Sequence, residues 1–139
     1  MIKSTIRPVF AASAVLALLA FTPACGDDHD AHDDPDHAHL MFVTAPPTAM
    51  SAATAVDVVY MVHTEGDLHH QEIRACMGHN AACGLGDASS FDQNFAGTKE
   101  GDSYTASVML AEGPWTIAVF AHVGATPHIS DVIHSTVGP

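Results

Sequence analysis

The sequence predicts an all-β domain. It is a single antiparallel β-sandwich of about seven strands over residues 41–139, preceded by a signal peptide and a disordered Asp/His-rich tether. Three observations carry this. Helical periodicity is missing beyond residue 40, and short runs rich in β-branched and aromatic residues recur between turn signals. Those runs repeat at roughly 8–13 residue intervals, the spacing of sandwich strands. Ahead of them the composition switches abruptly from apolar to Asp and His.

The opening segment is MIKSTIRPVFAASAVLALLAFTPAC. Lys3 and Arg7 form a basic head, Val9 to Phe21 is an apolar run of 13 residues broken only by Ser13, and Thr22-Pro23-Ala24 ends on a small residue. That is the layout of a secretory signal peptide over residues 1–24. A membrane-spanning helix needs about 20 apolar residues, so the run is too short to span. Ala24-Cys25-Gly26, placed directly after it, resembles the lipobox of bacterial lipoproteins. The resemblance covers the first 26 residues, with Thr22 where the family favours Leu. It implies cleavage ahead of Cys25, a diacylglycerol thioether on its sulfur and an acylated amine. The chain would then be anchored to a membrane of the bacterial cell envelope. Gly26 in place of Asp after the cysteine favours the outer membrane over the inner within that family.

Residues 26–39 hold six aspartates and four histidines, His29, His32, His37 and His39, with Ala31 and Ala38 as the apolar positions. Such a segment buries too little to offset its ordering entropy, and its repelling carboxylates keep it extended. A solvated leash needs charge alone, however, and the histidines are extra. Neutral imidazole is a ligand for copper and zinc, and aspartate adds oxygen donors and negative potential. The expected binding is weak and unselective, because nothing in the spacing fixes a geometry.

Seven strand candidates follow: 39–44, 55–64, 69–77, 89–98, 103–111, 115–123 and 129–137. Glu65-Gly66-Asp67 reads as a hairpin turn between the second and third. In 115–123, Trp115, Ile117, Val119, Ala121 and Val123 share one face, taken as core. In 55–64 the parity is open: Val58-Tyr60-Val62 competes with Val59-Met61-His63. The run GDSYTASVMLAEGPWTIAVFAHV, a Tyr-bearing strand, a Gly-Pro turn and a Trp-led strand, looks like the late hairpin of immunoglobulin-like domains in exported bacterial proteins. That likeness implies an immunoglobulin-like sandwich and no particular function.

Cys25, Cys76 and Cys83 are the three cysteines. With Cys25 lipidated, two remain in an oxidising compartment. Cys76 and Cys83 are expected to be bridged, the alternative being a soft-metal site with Met77 and His79 between two thiolates. Seven histidines fall in the domain. His63 and the His69-His70 pair flank the expected hairpin turn, which would bring them together, and Met61 shares a face with His63. Thioether plus imidazole suits copper.

All 16 acidic residues lie beyond Cys25, against Arg74 and Lys99 there, a formal balance of two against 16, or −14. That field opposes nucleic acid and favours metal ions. There is no G-x-S-x-G elbow, H-E-x-x-H or Walker loop, and no enzyme is expected. The reading is a cell-envelope lipoprotein that binds copper or zinc ions through the tether and domain His and Met residues. The alternative is a surface-displayed interaction module whose histidines are incidental.

Overall fold

The computed structural model describes residues 37–87 and 90–139. The signal segment 1–24, Cys25, His29 and His32 lie outside these residues. The described residues contain ten strands and no helix: β1 (Ala38–Thr44), β2 (Ala49–Ser51), β3 (Val56–Thr64), β4 (Leu68–Met77), β5 (Gln93–Ala96), β6 (Thr98–Glu100), β7 (Ser103–Val108), β8 (Gly113–Val123), β9 (Thr126–Ile129) and β10 (Ile133–Gly138). One sheet runs β1-β3-β7-β6, the other β2-β10-β8-β4-β5, with β9 also on β8. All pairings are antiparallel except β2 on β10.

The count exceeds the seven expected because three strands are very short. β2 carries one buried residue, Met50, and β6 (Thr98-Lys99-Glu100) none. Neither offers enough alternating positions to register as a strand in sequence. The run expected at 129–137 covers β10 and only the last residue of β9, the two being separated by 130–132. Ser130 spans the gap: Val119 N–H donates to its Oγ at 2.9 Å, and its own N–H donates to Val119 O at 3.0 Å.

Both sheets contribute to one core. Val58, Tyr60, Ala106 and Val108 face Ile73, Ala75, Trp115, Ile117, Val119 and Val137 across it. The parity of β3 is thereby settled: Val58 and Tyr60 are fully buried, Val62 packs on the core, and Met61 and His63 point outward. Trp115, Ile117, Val119, Ala121 and Val123 are buried as their alternation predicts. The sheets are latched by Tyr60, which donates to Gln71 Oε1, while Gln71 Nε2 donates to Gly97 O at 3.1 Å. A Cβ at Gly97 would land on the Tyr60 hydroxyl, so the close approach there requires glycine.

Two expectations fail at turns. Glu65-Gly66-Asp67 does not close a hairpin, because β3 lies in the four-stranded sheet and β4 in the other. The run resembling a late hairpin divides the same way, with β7 in the first sheet and β8 in the second. A turn signal marks where the chain reverses, not which ladder the next strand joins. Each of these strands turns one face to the interior between the sheets, and crossing over lets both sheets line the same core.

The outer side of β8 is also covered. Thr116, Ala118 and Phe120 are buried, although alternation alone would leave them to solvent. Residues 78–87 and 90–92 fold back over them: Leu85 joins Cys76 and Ala118 in a second small cluster, with Ala81, Cys83 and Phe91 packed against it.

Candidate functional site

The expected tether runs to residue 40, but strand pairing begins at Ala38, opposite Thr64. Thr64 Oγ1 donates to His37 O at 3.1 Å, so the last histidines of the Asp/His tract are attached to the sheet. Strand alternation then sets His37, His39 and Met41 on the outer face of β1, with Leu40 and Phe42 turned to the core. In the β1–β3 register His39 stands opposite His63, and Met41 opposite Met61. The result is a two-by-two patch of imidazoles and thioethers. His37 adjoins it: its Nε2 lies 3.0 Å from His39 Nε2, the rings edge to face at 4.5 Å. A hollow of about 290 Å³ borders the patch, lined by Met61, Val62, His63, Lys99, Asp102 and Tyr104.

His69 and His70 are not brought to His63. The crossover carries them into the other sheet, where His70 pairs with His122 and the His69 ring lies 6.3 Å from that of His122. His70 Nε2 sits 3.0 Å from Glu72 Oε2. His79 and His134 form another pair, 5.2 Å between centroids. His79 Nε2 donates to Ser135 O at 2.9 Å, and His134 Nδ1 is 3.2 Å from Thr116 Oγ1. Among the described residues no group of three or more His, Cys, Asp or Glu side chains is placed to hold a metal ion.

Cys76 and Cys83 stand at disulfide-bonding distance, with Cα atoms 6.3 Å apart. The soft-metal alternative is not assembled around them. Met77 follows Cys76 onto the opposite face of β4 and is half exposed, and His79 is turned to Ser135.

The other polar cluster is structural in geometry. Arg74 Nε donates to Glu72 Oε1 at 2.6 Å, and its NH1 donates to Leu85 O at 3.1 Å and Asp87 O at 2.6 Å. The guanidinium lies 3.2 Å from the ring centre of Phe120 and 4.4 Å from that of Phe91. Asn94 Nδ2 donates to Glu72 Oε2 at 2.6 Å. Burial opposes ionisation of Glu72, but hydrogen bonds from Asn94, Arg74 and His70, with the charge on Arg74, outweigh it. They hold the carboxyl below its ordinary value. Burial, with Tyr104 and Glu72 nearby, pushes the Tyr60 phenol upward.

Met41 is the residue that the sequence reading passed over. Its signal was present in the alternation His37-x-His39-x-Met41, but the first two belong to a tract that reads as leash. No protein-family model, curated protein or solved structure matches the chain.

Proposed function

We propose that the chain is a lipid-anchored protein of the bacterial cell envelope whose domain is an immunoglobulin-like sandwich and whose function is to bind copper or zinc ions. Cys25 carries the lipid, and Cys76 and Cys83 are bridged. The immunoglobulin-like reading is supported by strand order. The sheets β1-β3-β7-β6 and β2-β10-β8-β4-β5 follow the A-B-E-D and A′-G-F-C-C′ arrangement of that fold, including a parallel A′ strand on G.

The observation that carries the metal reading is the juxtaposition of His39 with His63. It joins the tract of His29, His32, His37 and His39 to the sheet, so ions gathered by a strongly acidic segment are delivered against fixed imidazoles. The tract supplies local concentration and the sheet supplies geometry. Imidazole must lose its proton to bind, so capture weakens as pH falls from about 7 toward about 5.5.

The test is zinc and copper uptake by the mature chain with and without residues 26–36, measured by calorimetry at both pH values. The intact chain is expected to take up extra metal at neutral pH that the shortened chain does not. Equal stoichiometry would reduce the tract to a leash and leave the histidines of the sandwich as the sole candidates for a site; no uptake by either chain would leave the interaction-module reading.

A further inference from the structure

We propose that Met41, Met61, His39 and His63 on the outer face of β1 and β3 form a discrete site for monovalent copper, a soft cation distinct from the ions the tract gathers. This rests on the metal-binding reading above and adds the oxidation state, the ligand set and the stoichiometry.

The placement comes from register. Met41 faces Met61, and His39 faces His63 one rung pair away on the same side of the ladder. Directly opposed residues hold their Cβ atoms about 4.5–5.5 Å apart. Alternate residues along a strand are about 7 Å apart, so side chains as long as Met and His meet over the middle of such a square. Neither methionine belongs to the core. Met41 is 55% exposed, Met61 is half-buried, and both lie on the face turned away from Val58 and Tyr60.

Donor chemistry selects the ion. Two imidazoles alone do not complete a coordination shell, and among the described residues no group of three or more His, Cys, Asp or Glu side chains is placed to hold a metal ion. The shell reaches four donors only when the two thioethers are counted. Thioether sulfur is soft and uncharged, favouring copper(I) over zinc, which prefers nitrogen, oxygen and thiolate. Charge agrees: Lys99 and Asp102, beside Met61 and His63, offset one another, so the site suits a monovalent ion with neutral ligands.

The experiment uses the full mature chain, copper(I) presented as its bicinchoninate complex, and zinc uptake measured in parallel. Wild type is expected to withdraw one copper(I) per chain. M41L/M61L, which replaces two outward-facing thioethers by side chains of similar volume, should keep the fold and zinc uptake but withdraw none at the same competitor concentration. X-ray absorption of the copper-loaded wild type should show sulfur beside nitrogen. Unchanged copper(I) uptake by M41L/M61L, or a shell without sulfur, overturns the site. A chain lacking 26–36 separates the two ideas. It should retain its single copper(I) while losing zinc, and zinc uptake that survives the deletion counts against the tract alone.

Discussion

Glu72 and Arg74 are an ion pair with side chains 3% and 4% exposed, and so little solvent makes the pair asymmetric in its effects. Forming it offsets desolvation, whereas removing one partner strands the other. Glu72→Gln is expected to destabilise the domain by about 3–5 kcal/mol, the range for breaking a buried pair, read as a lowered thermal midpoint. The sign of the pH dependence follows from the direction of the shift. The folded carboxyl sits below its ordinary value of 4.5. Its contribution is therefore present above that value and fades as pH falls through the lower folded one. The acid limb of the stability profile should be shallower in Glu72→Gln, and an identical limb would remove Glu72 from the account. None of this was legible in the sequence. Arg74 reads there as one of two basic residues beyond Cys25. Its burial depends on Phe91, Leu85 and Asp87, which lie well beyond β4 in sequence and reach it only through the fold.

Long alternating strands announced themselves, and short ones did not. β3, β4 and β8 were readable to within two residues, because nine or more positions of alternation outweigh local noise. β2 and β6, three residues each, take their strand character from neighbours already in place. The same limit applies to function. The alternation of Met61 and His63 was legible, but their partners on β1 were set by register, and the crossover at 65–67 removed the His69-His70 pair that a hairpin would have supplied. Segment 78–92 gives the element-scale prediction. A Cys76–Cys83 bridge pins it at the end of β4, and the chain-entropy model assigns a loop of that size about 2.5 kcal/mol. Replacing both cysteines by serine should lower stability by about that much, with further loss because Cys76 is buried against Leu85 and Ala118. Thiol titration of the denatured, unreduced protein should find neither free. Two reactive thiols would show that the bridge does not form.

At the scale of the whole chain, the first strand of the sandwich begins at Ala38, inside the Asp/His tract as read from sequence. The proposed anchoring falls to Cys25, which the structure does not describe. Cys25→Ser should release the protein from membranes while leaving the sandwich and its thermal midpoint intact. A serine variant that still sediments with membranes in high salt is held there by something other than lipid. The residues beyond Cys25, balanced at −14, are repelled from anionic lipid surfaces, so under the proposed reading a covalent anchor would be what keeps the chain close.

The tract enters the fold through β1, an edge strand whose rungs with β3 begin at Ala38↔Thr64 and His39↔His63. A pull on the chain ahead of Ala38, the load that the proposed anchor would transmit, reaches those rungs first. The strand then peels from its free end, each rung yielding before the next bears force. A copper ion bridging His39 to His63 would close the fork where peeling starts. Occupancy of the patch would then be felt as mechanical resistance, with the loaded protein holding its edge strand under tension that strips it from the empty one.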